Sequence, residues 1–223
     1  MATSTTSTTT TAAAGTALVW GAGGGIGRAL VERLAQEGHP VLAVARDASA
    51  LAGLPAEVAG ADLARESEVA ACALWAAQLA PSVSLWAWAA GDILAQPLLD
   101  TPVDALRRLL DNNLLGLHAA LRHTAPLLAP DAHVVVAGVY PERLRAPRLG
   151  AYAAAKAAVE AYVEVLGKEL RGRRVTYLRL PAVDTGLWRK TPFPVPKGAL
   201  APAAVADAVL RAHREGHQGV LAL

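Results

Sequence analysis

The sequence predicts a doubly wound α/β fold: one parallel sheet of about seven strands, covered by helices on both faces. Two observations carry that expectation. Short runs that are apolar along their whole length alternate with helix-like segments, the pattern of parallel strands buried on both sides. No repeat or linker interrupts the alternation beyond residue 15, and 223 residues suffice for one sizeable core.

TALVW (Thr16–Trp20) is an apolar run stopped by glycines and reads as the first strand. The helical stretch RALVERLAQE follows, closed by Gly38 as a C-terminal cap. PVLAVA is the second strand, and EVAGA leads into Asp62 and Leu63 as the third. A helix is expected from about Glu66 to Ala80, then a fourth strand in VSLWAWAAG. At Thr101-Pro102-Val103-Asp104 a helix starts, with Thr101 as its cap and Asp104 near the positive end of the dipole. It should run towards Leu128, with a break near Pro126. HVVVAGV is the fifth strand, and the alanine-rich helix containing Tyr152 follows a loop. RRVTYLRL, ended by Pro181, is the sixth strand. A last helix, Ala203–His213, leads to GVLAL as the seventh.

Composition narrows the function classes. With 53% hydrophobic and 18% charged residues the chain is globular. Net charge is only +2 and there is no basic block, which argues against a nucleic-acid partner. Cys72 is the sole cysteine, so no internal disulfide can form; a reducing, cytoplasmic setting is expected. Residues 1–15, a Thr/Ala tract without charge, match neither a secretory signal nor a transit peptide. They are expected to be a disordered tail before a dinucleotide-binding domain over 16–223. Val69 to Gly91 lacks charge, but Gln78, Pro81, Ser82 and Ser84 favour a helix followed by a buried strand over a membrane span.

Three local patterns bear on chemistry. WGAGGGIGRAL joins the first strand to the first helix, with glycines spaced Gly21-x-x-x-Gly25-Ile26-Gly27. Absent side chains there let the backbone approach a pyrophosphate at a helix N-terminus. At the end of the second strand Ala45 stands where an NAD site carries an acid, and Arg46 follows. A guanidinium fork suits a 2′-phosphate, so NADP is expected, with NAD as the alternative. Tyr152 and Lys156, four apart in an alanine-rich helix, share one face and can converge on one point. His213 and His217 lack the companion glutamate and helical continuity of a zinc motif, so no metal is expected.

Taken together, the glycine turn and the Tyr152–Lys156 pair resemble the short-chain dehydrogenase/reductase family, over nearly the whole chain from about residue 15. The resemblance implies an adenine contact at Asp62 and Leu63, a catalytic asparagine at Asn113 of NNLLG, and cofactor contacts at Gly91, Pro181 and Thr185. LPAVDTG corresponds to the family's Pro-Gly-x-x-x-Thr segment. The implied chemistry is NAD(P)-dependent hydride transfer to or from a small carbonyl or alcohol. Tyr152 is then the acid/base and Lys156 both lowers its pKa and binds ribose. The family also tends to assemble copies of one chain.

Two positions depart from the family. Its serine, thirteen residues before the tyrosine, is Val139 here, and no serine occurs after Ser84; Tyr140 carries the only nearby hydroxyl in sequence. The family's Asn-Asn-Ala-Gly is Trp88-Ala89-Ala90-Gly91, which implies local repacking. A weakened oxidoreductase is therefore expected, the alternative being a dinucleotide-binding protein that does not catalyse. Trp188 and Phe193 are expected as apolar walls for the substrate.

Overall fold

The computed structural model describes residues 15–223, so the expected tail, Gly15 apart, lies outside the described residues. Seven strands form one sheet: β1 (Ala17–Trp20), β2 (Val41–Ala45), β3 (Glu57–Gly60), β4 (Val83–Trp88), β5 (Leu128–Ala137), β6 (Arg174–Arg179) and β7 (Gly219–Ala222). Their order is β3-β2-β1-β4-β5-β6-β7 and every pairing is parallel. The helices are α1 (Gly25–Gln36), α2 (Glu66–Leu79), α3 (Val103–Leu110), α4 (Gly116–Thr124), α5 (Gly150–Glu169) and α6 (Pro202–Arg214).

Alternation along each strand divides the core in two. Leu18, Trp20, Trp86, Trp88, Val134 and Val136 join the layer containing α2, α4 and α5. Ala17, Val19, Ala43, Leu85 and Val135 join the layer containing α1 and α6. β1, β2 and β4 are buried nearly throughout, which is why they read as unbroken apolar runs. β3 and β7 are largely exposed because they form the two edges.

Helix ends follow local chemistry. Gly38 takes φ +83° and its N–H reaches Ala35, while His39 N–H reaches Leu34, the left-handed stop expected of glycine there. Gly216 ends α6 in the same way, leaving His217 outside the helix. Val69 to Gly91 splits as expected into α2 and β4, and no helix among the described residues is long and apolar enough to cross a membrane.

Three expectations need correction. Thr101 does not cap α3; its hydroxyl donates to Pro97 O at 2.9 Å, and Pro102 takes the cap position. The helix running on from it is interrupted at Asp111–Leu115 by a π-helical turn. There Asn113 Nδ2 donates to Leu109 O at 2.8 Å, and a side chain competing for that carbonyl loosens the regular ladder. β5 starts at Leu128, five residues earlier than expected, across an irregularity in its pairing with β4. It ends at Ala137, which frees Gly138 and Val139 from the strand.

At the strand-start edge His133 is fully buried, its Nε2 2.8 Å from Thr176 Oγ1 and its ring stacked on His213. Among the described residues no group of His, Cys, Asp and Glu is arranged to hold a metal. Burial instead pushes the His133 pKa down to about 3. Between about pH 6.5 and 3 the unfolded chain therefore binds a proton at this residue that the folded chain refuses. Stability should fall as pH drops below 6.5, by up to about 1.4 kcal/mol per unit from this group. Urea unfolding of the protein and of His133→Gln at pH 7.5, 6 and 5 checks this: the variant should lose most of the slope, and equal slopes would refute the assignment.

Candidate active site

Parallel strands bring the C-terminal ends of β1, β2, β4, β5 and β6 to one edge, where the following loops enclose a cleft of about 950 Å3. Gly21 leaves β1 with φ +84°, and a Cβ there would lie 2.4 Å from Ala90 N. A Cβ on Gly27 would meet Gly21 O at 2.3 Å. The turn is thus pressed against both the β4 loop and its own helix, which only glycine permits. α1 begins at Gly25 behind Gly24, without a side-chain cap, so its first-turn N–H groups stay open to the cleft. A cradle of open N–H groups at a helix's positive end has the donor chemistry of a phosphate site, and the residues present fit a dinucleotide.

Of the residues singled out in the sequence, Gly21, Gly25, Ile26, Arg46, Leu63, Gly91, Tyr152, Lys156, Pro181 and Thr185 all line this one cleft. Gly27 is buried against Gly21 and Ala22 and does not line it. Asp62 does not join them. Its carboxylate accepts from Ala64 N–H and pairs with Arg65, and it borders a separate shallow recess beside α3. Arg46 is exposed, donating to Asn112 Oδ1 at 3.3 Å. Asp47, which could have neutralised it, is instead engaged with Ser49. Thr185 Cγ2 would be 2.9 Å from a Cβ on Gly25, so the β6 loop closes directly over the glycine turn.

At the cleft floor, α5 presents Tyr152 and Lys156 on one face, each 5% exposed, with Nζ 5.8 Å from the phenol ring centre. A Cβ on Gly91 would lie 3.1 Å from Lys156 Nζ and 2.9 Å from Asn113 Oδ1. The missing side chain is thus the gap across which these two groups face each other. The π-helical turn buries Asn113 completely: Nδ2 donates to Asp92 O and Leu109 O, leaving Oδ1 without a partner among the described residues. A buried carbonyl oxygen without a donor is costly, and this one has the chemistry to accept from a donor group.

Burial sets the protonation states here. It pushes the Lys156 pKa down to about 8 and holds the Tyr152 phenol above its ordinary value, with Tyr177 and Asp92 adding to the latter. In the free chain burial is the largest influence on the Tyr152 phenol, and it acts upward.

Val139 borders the cleft beside Gly138. Tyr140, its neighbour in sequence, donates its hydroxyl to Leu223 O at 3.2 Å. The hydroxyl against the Val139 peptide comes from Tyr177 on β6 instead, 3.3 Å from Val139 N and 3.4 Å from its O. A Cβ on Gly138 would strike the Tyr177 ring at 2.0 Å, so this glycine makes room for the phenol. Trp88 is also buried, stacked on Trp86 with ring centroids 6.2 Å apart.

Sequence reasoning missed Tyr177 and a latch across the mouth. Lys190 Nζ reaches Asp92 Oδ1 at 2.6 Å, joining the turn Gly186–Lys190 to the β4 loop. The excursion that carries this turn is pinned at its base by Asp184 N–H to Leu200 O and Leu200 N–H to Ala182 O, both 2.8 Å. Trp188 and Phe193 line the cleft, as expected. The Trp188 indole is held by Val183 O at 2.9 Å.

Fold and cleft together define a nucleotide-binding oxidoreductase. The chain belongs to the short-chain dehydrogenase family, whose pattern matches residues 15–193. It is 31% identical over 71% of its length, and 67% of the relative's, to the NAD(+)-dependent 2-dehydro-3-deoxy-L-rhamnonate dehydrogenase of a Sphingomonas species. A short-chain oxidoreductase of Thermus thermophilus shares 37% identity at a TM-score of 0.78, covering 87% of this chain and 94% of that one. A short-chain dehydrogenase of Burkholderia cenocepacia, crystallised with NADP, shares 26% at 0.82, covering 94% and 88%. Enzymes of this family depend on NAD(P) and act on small carbonyl or alcohol substrates.

Proposed function

We propose that residues 16–223 form an NADP-preferring carbonyl reductase or alcohol dehydrogenase, with Tyr152 as proton donor, Lys156 and Asn113 as its relay, and a turnover limited by Val139. The observation that carries this reading is the pairing of Tyr152 and Lys156, both buried, on one face of α5 at the cleft floor. When bound, the dinucleotide supplies or accepts a hydride at the substrate carbon. The chain's own residues manage the proton. A phenol held above its ordinary pKa stays protonated at neutral pH, so Tyr152 is suited to give a proton to the oxygen of a carbonyl being reduced. Lys156 Nζ, across the Gly91 gap from Asn113 Oδ1, would hold ribose hydroxyls and pass a proton towards solvent. Gly21, Gly25, Ile26 and Gly27 would receive the pyrophosphate, Leu63 the adenine, and Thr185 and Pro181 the nicotinamide end. Self-association belongs to the same reading, with exposed Leu98, Leu99 and Val103 beside α3 offering apolar surface.

Val139 favours a second reading, a dinucleotide-binding protein that does not catalyse. A lost carbonyl donor costs about 10²–10³ in rate, by analogy with an oxyanion hole. Tyr152, Lys156 and Asn113 remain together in the cleft region, which keeps catalysis ahead.

The phenol provides the first test. Tyr152→Phe should abolish turnover on reactive diketones while cofactor affinity changes less than about twofold, since only the proton donor is lost. Lys156→Ala should damage both, and cofactor affinity of the parent should weaken as pH rises through about 8, where the ammonium loses its proton. A Tyr152→Phe protein with normal turnover would overturn the mechanism.

Cofactor choice rests on Arg46, with Ala45 where an acid would repel a 2′-phosphate. NADPH should bind at least about tenfold more tightly than NADH, and Arg46→Ala should erase most of that difference. Fluorescence titration of both cofactors against both proteins decides it; equal affinities in the parent would sink the preference.

Val139→Ser separates the two readings. In a working enzyme the added donor should raise turnover on diketones by about tenfold or more. In a non-catalytic binder it should change nothing. A parent already fast and slowed by the new serine would exclude both.

A further inference from the structure

Beyond the cofactor cradle, the substrate half of the cleft carries a strong charge imbalance. Two segments form its rim: the loop 141–149 after β5 and the excursion 186–198 after β6. The first carries Arg143, Arg145 and Arg148 against Glu142 alone; the second carries Arg189, Lys190 and Lys197 with no acid. Glu142 is paired with Arg179 at 3.6 Å and Asp92 with Lys190 at 2.6 Å. Whole-chain charge, by contrast, is only +2.

Arg143 and Arg189 both line the cleft, and neither has a carboxylate partner among the described residues. Each is nevertheless positioned. The Arg143 guanidinium stacks 4.1 Å from the Tyr140 ring centre, and that ring is fixed through its hydroxyl to Leu223 O. Arg189 folds back over its own turn, its Nη2 2.6 Å from where a Cβ on Gly186 would lie, next to Thr185. The same cleft has apolar walls in Leu144, Leu149, Trp188 and Phe193. Arg28 and Arg46 line the cleft with the glycine turn, whereas Arg143 is carried by the loop after β5 and Arg189 by the turn that follows Thr185.

We infer that the substrate is an oxo acid: a small carbonyl compound whose carboxylate is held by Arg143 and Arg189 while its carbonyl faces Tyr152. Guanidinium forks without carboxylate partners in a partly apolar cleft match a planar carboxylate and raise its local concentration. The inference rests on the oxidoreductase reading above and names its substrate class. The reaction keeps that chemistry: the carbonyl carbon takes the hydride, the oxygen takes the Tyr152 proton, and the carboxylate is unchanged.

The test uses full-length protein with NADPH and two matched pairs, acetoacetate with its methyl ester and phenylglyoxylate with its methyl ester. The ratio of kcat/KM for acid over ester is the readout, because it cancels general damage to the fold. The ratio should fall by about tenfold or more in Arg143→Gln/Arg189→Gln. In the parent it should also fall as ionic strength rises from about 0.05 to about 0.5 M. A ratio that ignores both the variant and the salt overturns the inference, while loss of turnover on Tyr152→Phe still upholds the parent reading. If no pair turns over, acid binding is read from Trp188 fluorescence in the NADPH complex. Saturable quenching by phenylglyoxylate, weakened about tenfold in the double variant and absent with the ester, supports the inference; no quenching, or quenching indifferent to the two arginines, overturns it.

Discussion

Parallel pairing is the constraint on which everything else depends. It sends every strand's C-terminal end to the same edge, so the glycine turn, Arg46, Gly91, Val139 and Thr185 meet there despite being scattered over 165 positions. It also forces each connection across a face of the sheet, which supplies α1 and α6 on one side and α2, α4 and α5 on the other. The cleft is the space left between the loops once those helices are packed.

The same packing sets the electrostatics. Lys156 is almost wholly removed from water without a carboxylate beside it, and desolvation brings its pKa down towards 8 while driving that of Tyr152 up. The free chain therefore keeps the phenol protonated and the ammonium close to titration. An anionic ligand in the cleft would raise the lysine's pKa and restore a firm positive charge beside the phenol. Binding and proton chemistry are coupled through one buried charge, and Asn113 Oδ1, also buried and unpartnered, faces it across the Gly91 gap.

What was legible in the sequence depended on locality. Apolar runs, Gly38, Gly216 and the glycine turn were readable because their causes lie within a few residues. Tyr152 and Lys156 were readable because helical spacing alone puts them together. The π-helical turn was not, since DNNLL shows no break and the cause is Asn113 competing for Leu109 O. Thr101 read as a cap, yet its hydroxyl found Pro97 O four residues back. The Asp92–Lys190 latch joins residues 98 apart, and Tyr177 approaches Val139 from the neighbouring strand. Neither leaves a trace in linear spacing. Asp62 was placed by resemblance, and its own loop and Arg65 engage its carboxylate.

Strand register ties the packing of Trp88 to that of the 138–139 segment. Trp20 pairs with Trp88, Trp88 with Val136, and Val136 with Tyr177, so these residues form a single row across β1, β4, β5 and β6. All four belong to the core layer beneath α5. The row fills that layer with three large aromatic side chains directly below the end of the sheet that carries the cleft. The Trp88 indole N–H has no partner among the described residues. At the far end Tyr177 takes the space above Gly138, and its hydroxyl meets the Val139 peptide. A side chain larger than glycine at 138 is excluded by the Tyr177 ring, so the 138–139 segment is shaped by the same packing. The row thus brings a phenol to the backbone of Val139, behind the cleft wall instead of inside it.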